Sequence, residues 1–517
     1  MAGSVKHNTA SDSYITTSAA RSTSAELSDG AEFFHARRLA VLSQRGLRPT
    51  AKRFTSYAPP ATVVMLNFNG QAVLRRSLEA VLNQDYPNFT LVVVDNASSD
   101  TSRQILCEFE ASYTGRIKLV FLSENRGVAG GRNAAIPHCD SDFVAFIDND
   151  GYPDPNWLSE AVWHLTQDRQ VGAVAPLVFF ASRETLLNGS GGCREPSGFA
   201  GDVNFSQPVE FANLNCEVLY PMGCGMVLTR TAVESSFPLD ALLPKWFDDV
   251  EVGERVWRSG MKVAICKYSH VLHGFHGSDD QLSKGNWRKA LLFHKARIRH
   301  SIKYPPQGGL PRLLLHEMGV CSKMLLSKPK EVAVAAAAWC WNLLHIASAL
   351  KVESEFASNA LTAQRRYVDG PVRSGPDNHS FQFERSRLGS SISFERSGEE
   401  QALHYGWYPI EVEKGISFRP AARYASVFMR IDADLPATLL VRLRPKHCPQ
   451  QVKVKIRSLD NEQSVEDYSA VLENLEWQEL SIPINAYNGE LEILLCFPFS
   501  LDKSVDIADI EAVCVNG

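Results

Sequence analysis

Two carboxylates two positions apart, Asp148 and Asp150 in Phe146-Ile147-Asp148-Asn149-Asp150-Gly151, are the residues of this chain best suited to chemistry. They follow the apolar run Phe143-Val144-Ala145-Phe146-Ile147. If that run is a strand, alternate side chains share a face, so the two aspartates project together beyond the sheet edge while Asn149 points elsewhere. Carboxylate oxygens paired in this way, with room left for water, suit a hard divalent cation that also holds a diphosphate. The rival reading is a polar turn closing a strand.

The elements that must position this pair alternate in type. Thr62–Asn67, Thr90–Val94, Ile117–Leu122 and Phe143–Ile147 read as strands, and Gln71–Asn83, Thr101–Ser112 and Gly130–His138 as helices. The alternation predicts a parallel α/β sheet with helices on both faces. Ligands of such sheets collect at the carboxyl ends of the strands. Polar residues stand at each predicted end: Asn67 and Asn69, Asp95 and Asn96, Asn125 to Gly127, and Asp148 to Asp150. Gly130-Gly131-Arg132-Asn133 adds glycines and a guanidinium near a helix start, a combination that favours phosphate oxygens.

At 517 residues the chain exceeds one ordinary core and predicts two or three domains. A formal net charge of -5 gives no electrostatic case for nucleic acid. Eleven cysteines without a CxxC pair point to free thiols in a reducing compartment, neither a disulfide frame nor a zinc cluster. Residues 1–30 read as disordered and lack a signal-type apolar core, so a cytoplasmic product is expected. The expected organisation is an N-terminal extension over 1–55 with a helix in 31–46, a catalytic domain over 56–305, helices over 306–355, a linker over 356–400 and a β-sandwich over 401–517. The last follows from short alternating runs such as Thr438–Arg444 and Glu490–Phe497. Val332–Leu350 carries no charge, but its alanines, Asn342 and His345 favour a buried or membrane-surface helix over a spanning one.

Seven segments in order resemble family 2 glycosyltransferases of the GT-A fold, and within them the rhamnosyltransferase-like branch that builds bacterial surface polysaccharides. They are VVMLNFNG at 63–70, VVVDNASSDTS at 92–102, ENRGVAGGRNAAI at 124–136, FIDNDGYPDPNWL at 146–158, MGCGMVLTR at 222–230, WFDDVEVGERVWRSG at 246–260 and HVLHGFHGS at 270–278. The resemblance implies inverting transfer of a sugar, rhamnose being one candidate, from a nucleotide-diphosphate donor to a hydroxyl of a glycan or lipid-linked acceptor, assisted by Mg2+ or Mn2+. It implies donor-nucleotide contacts from Asn67, Asp95, Asn125, Arg132 and Asp148, with Arg132 at the diphosphate and Asp148 leaning to the ribose. Asp150 becomes the direct metal ligand, with Asp148 and His273 completing the site, although His270 and His276 recur at the same interval. Gly223, Cys224 and Gly225 match an acceptor loop. Asp249 stands where the family has its catalytic base, preceded here by Asp248 in place of the usual Glu. Adjacent carboxylates repel, which raises one pKa and suits a base; their rival role is to cap the helix Val250–Ser259. With the 332–350 helix, a peripheral position at the inner face of the plasma membrane is expected; the β-domain resembles accessory sandwiches of such transferases, with a structural or homo-oligomerising role first and glycan binding second. A nucleotidyltransferase of similar fold and a non-catalytic glycan-binding scaffold are the alternatives.

Overall fold

The computed structural model describes residues 35–350 and 390–514, apart from short internal stretches of which 275–286 is the longest. The expectations for residues 1–30, for most of the 356–400 linker and for His276 lie outside the described residues.

Four parallel strands form the first half of a large sheet: β1 (Ala61–Asn67), β2 (Phe89–Asp95), β3 (Ile117–Phe121) and β4 (Phe143–Asp148), in the order β3-β2-β1-β4. Their register brings Asn67 opposite Asp95 and Leu66 opposite Asp148, so three polar strand ends finish level. Val63, Val64 and Met65 are all buried, the continuous apolar run required of a strand covered on both faces. One face is covered by the helices Leu74–Leu82 and Trp157–Gln167, through Leu78, Val81, Leu158 and Val162. The other carries Gly127–Ala135 and Asp248–Arg258, through Ala129, Val250 and Val256. Gly131 allows close approach there, since a Cβ would stand 2.4 Å from Leu66 Cδ1.

The second half of the sheet is mixed. It holds β5 (Gly151–Pro153), β6 (Val171–Phe180) and β7 (Arg183–Gly189), and, beyond the separate hairpin β8 (Gly192–Arg194) and β9 (Ala200–Asp202), also β10 (Val227–Thr229) and β11 (Lys262–His273). β10 runs antiparallel to both β4 and β6, β11 lies parallel to β6, and β5 closes the edge against β11. The α/β domain, followed by helices and an all-β domain, is the architecture the sequence pattern predicts.

A helix over 35–44 belongs to this body: Val41 and Leu42 enter its core, and buried Arg38 holds Asp154 at 2.9 Å and Glu184 at 3.0 Å. Its neighbour Arg37 pairs with Glu492 of the C-terminal domain. The helices Trp287–Lys303, Gly309–Met324 and Pro329–Leu344 follow. Among the described residues, no helix is long and apolar enough to cross a membrane. Ten antiparallel strands between Ser391 and Cys514 then form one hydrogen-bonded network over a single apolar core. Alternating burial along Ala437–Pro445 shows the period-two pattern read from the sequence. This domain docks on the first through stacked Phe211 and Tyr424, centroids 5.1 Å apart, and the Arg457–Glu210 ion pair.

Candidate active site

The level strand ends open into a cleft of about 600 Å3. Beneath one wall, Asn67 Nδ2 donates to Asp95 Oδ1 at 3.0 Å and Ser98 Oγ at 3.2 Å, while its Oδ1 accepts from Asn149 Nδ2 at 2.8 Å. Asp95 also accepts from Arg103 Nε at 2.7 Å and from the Ser98 N–H at 3.1 Å. Both Asn67 and Asp95 are fully buried. In this structure these two brace the turns from below, and their sequence neighbours Phe68 and Asn96 line the cleft. Asn149 does not simply point away from the aspartates, because it ties the end of β4 to that of β1. Asn125 does line the cleft, and its Oδ1 accepts from the N–H of Gly127, whose φ of +68 turns the chain into the following helix.

The opposite wall starts the helix Asp248–Arg258. Trp246 and Phe247 precede it in the left-handed region, at φ 63 and 62. Such backbone costs a non-glycine residue roughly 1–3 kcal/mol, and it persists where packing fixes it. Here Phe247 is buried in the core and Trp246 packs edge-on against Phe293. The helix sits against residues 219–220 because Gly253 has no side chain; a Cβ would stand 2.3 Å from Leu219 O.

Arg132 joins the two walls. Its buried guanidinium donates to Asp248 Oδ2 at 2.5 Å, Gly223 O at 2.9 Å and Asp148 Oδ1 at 3.2 Å. The donors expected to meet a diphosphate are here directed at carboxylates. Burial disfavours the charge on Arg132, but Asp248, Asp148 and Asp249 outweigh it and raise its pKa. Burial raises the pKa of Asp248 against the pull of Arg132. Burial, then the neighbouring Asp248 and Asp202, holds Asp249 well above the usual carboxylate range. Asp249 accepts from the N–H groups of Gly223 at 3.2 Å and Val250 at 2.8 Å. Asp249 thus stands at the helix start and at the cleft wall at once.

At the end of β11, His273 Nε2 lies 3.3 Å from Asp150 Oδ1 and Nδ1 lies 2.9 Å from Asn188 Oδ1. Burial opposes the imidazolium, yet the hydrogen bond and charge of Asp150, with Asp148 and Asp202, raise its pKa. One ligand atom each from Asp148, Cys224 and His273 lie within 4.8 Å of one another. Two carboxylates and an imidazole fit Mg2+ or, with the nitrogen included, Mn2+. Cys224 contributes little to a hard cation, because burial, then Asp148 and Asp150, keep its thiol protonated. His270 lies elsewhere, 3.4 Å from Asp154 and edge-on to Phe179. Gly223 and Cys224 line the cleft. Gly225 does not line it: its N–H donates to Phe146 O and its C=O accepts from Trp157 Nε1.

Sequence reasoning missed Asp202, Asn188, Tyr220 and Trp246, all of which line the cleft. Tyr220 donates to Asp202 Oδ1 at 3.0 Å, and burial pushes the Asp202 pKa up to about 6. No local motif marks Asp202. The β8–β9 pairing brings it to the cleft, and only the short runs of that hairpin hint at it.

Residues 62–234 match the family described as Glycosyl transferase family 2. EpsE of Bacillus subtilis (strain 168), named for a glycosyltransferase, is 33% identical over 123 residues, covering 23% of this chain and 44% of EpsE. WfgD of Escherichia coli, a UDP-Glc:alpha-D-GlcNAc-diphosphoundecaprenol beta-1,3-glucosyltransferase, is 37% identical over 89 residues, covering 17% of this chain and 34% of WfgD. The chain thus spans less than half the length of either relative. Among solved structures, the mannosyltransferase PcManGT from Pyrobaculum calidifontis in complex with GDP-Man and Mn2+ aligns at TM-score 0.36 and 18% identity, over 66% of this chain and 95% of that one.

Proposed function

We propose, from the family 2 glycosyltransferase domain that residues 62–234 form, that this protein transfers a sugar from a nucleotide-diphosphate donor to a hydroxyl of a glycan or lipid-linked acceptor, with inversion and with a divalent cation. Surface polysaccharide synthesis on the cytoplasmic side is the setting, and rhamnose is the first sugar to test. The observation that carries the reading is the placement of two acids beside one arginine. Arg132 takes up the charge of Asp248, and Asp249 is left with backbone N–H partners and a raised pKa at the wall of the cleft.

Asp249 accepts the proton of the acceptor hydroxyl as that oxygen attacks the anomeric carbon. The carbon–oxygen bond to the nucleotide diphosphate breaks on the opposite side, which inverts the centre. Asp148, Asp150 and His273 would hold Mg2+ or Mn2+, which when bound would supply charge neutralisation for the leaving diphosphate. Phe68, Asn96 and Asn125 offer the nucleoside a wall braced by Asn67 and Asp95. Gly223 and Cys224, small residues beside Asp249, leave room for the acceptor ring.

The deciding experiment measures donor binding and transfer in Asp249→Asn with a panel of nucleotide sugars. Donor affinity is expected to persist, with Mn2+ required, while transfer is lost. Retained turnover would sink the assignment of the base.

A further inference from the structure

We infer that the helices Gly309–Met324 and Pro329–Leu344, with the short turn that follows, form a docking face for an anionic phospholipid bilayer. Pro329–Leu344 packs its inner side on Trp287–Lys303, and Gly309–Met324 meets that helix through Leu310 and the Glu317–Arg297 pair. Leu313 is buried, Glu317 pairs with Arg297 at 2.8 Å, Ala338 packs with Ile298 and Ile302, and Asn342 donates to Lys295 O. Their other sides are apolar where water-facing helices are ordinarily polar. Leu315 is 70% exposed and Leu344 84%, with Leu314, Met318 and Leu343 exposed beside them in sequence. Between residues 333 and 350 every exposed side chain is Ala, Cys, Leu or a single Ser.

Charge selects the occupant. Residues 287–350 contain ten Lys and Arg against two acids, Glu317 and Glu331, in a chain whose formal total is -5; Arg297, Arg299 and Lys303 among them are buried in ion pairs and do not face solvent. Lys323, Lys328 and Lys330 are exposed at the junction of the two helices, Lys328 sharing its charge with Glu331 at 3.2 Å, and lysines there can reach headgroup phosphates beside an immersed apolar face. The helices lie on the membrane in this reading, and among the described residues none is long enough to span it. A second copy of this chain is the rival occupant, and the test separates the two.

The face is keyed to the catalytic helix. Lys303 pairs with Glu251 and with Asp240, and Arg255 Nε donates to Tyr304 Oη at 2.9 Å. A bilayer-bound enzyme would therefore hold Asp249 in a fixed relation to a lipid-anchored acceptor; this last step rests on the proposed transferase reading.

The test is co-sedimentation of the full chain with vesicles of phosphatidylcholine alone and of phosphatidylcholine with 30% phosphatidylglycerol, in roughly 0.05 and 0.5 M salt. Binding to the anionic vesicles is expected, weakened severalfold by salt. Leu315→Glu with Leu344→Glu should reduce it at least tenfold while transfer to a soluble acceptor is unchanged. No binding to anionic vesicles, or binding indifferent to the double variant, overturns the inference. So does a dimer in sedimentation equilibrium that the variant dissociates in the absence of vesicle binding. Vesicle binding without any transfer would instead strike the transferase reading.

Discussion

The two walls of the cleft are built on opposite principles. The wall at β1, β2 and β4 comes from one continuous parallel half-sheet, and its polar residues are spent on one another: Asn67 on Asp95, Ser98 and Asn149. The wall at Asp248 and Asp249 is gathered from separated segments, with left-handed Trp246 and Phe247 at its edge and buried acids whose charge is only partly offset. The first wall is stabilised by satisfied hydrogen bonds and supplies shape. The second stores unfavourable electrostatics, the usual condition of a group poised to take a proton. Arg132 is where the two meet, since it holds Asp148 of one and Asp248 of the other.

Each of these differences can be broken. Asp249→Asn should lower kcat by about 10²–10⁴-fold, the range for loss of a general base, with little change in donor affinity by calorimetry. In the unaltered protein, kcat/KM should rise with pH as the raised Asp249 pKa is passed, because only the carboxylate accepts a proton. Arg132→Met leaves Asp148 and Asp248 facing each other without a cation. A loss of about 3–5 kcal/mol is expected from a buried pair stripped of one partner, read from urea midpoints; a loss below about 1 kcal/mol would show that the walls are not joined there.

A subtler contrast concerns Asp202, whose folded pKa of about 6 lies above the ordinary carboxylate value. The fold favours its protonated form, so its contribution to stability is complete below pH 4 and declines as pH rises through 6. Asp202→Asn should therefore exceed the parent in stability at pH 8, by up to about 3 kcal/mol, with the gap closing by pH 4 in denaturant titrations. Asn67→Ala tests the other wall: stability should fall by about 1–3 kcal/mol, since Asp95 and Asn149 lose a buried partner. Donor KM should rise while kcat stays within severalfold. An unchanged KM would show that the brace has no bearing on donor binding.

The strand–helix alternation through residue 150, the all-β C-terminal pattern and the Asp148–Asp150 pair were legible because each is a local period or a short spacing. What Asn67, Asp95 and Gly225 touch was not, since a residue at a strand end can face the cleft or brace the turn beneath it. Sequence records the position and not which of the two it does. His270 and His273 differ by one interval in the chain, yet β11 sends one to Asp154 and the other to Asp150.

By itself, then, the sequence determined the fold class, the level of the strand ends and the acids available for chemistry, because hydrophobic periodicity and register act over a few residues. Only the tertiary structure decided who shares a charge with whom. Arg132 and Asp248 stand 116 residues apart, and Asp202 and Tyr220 meet Asp249 only after a hairpin and a glycine-seated helix have closed around them. Desolvation and Coulomb interaction depend on distance in space, so the pKa ordering that singles out Asp249 is a property of the folded cleft and of no segment within it.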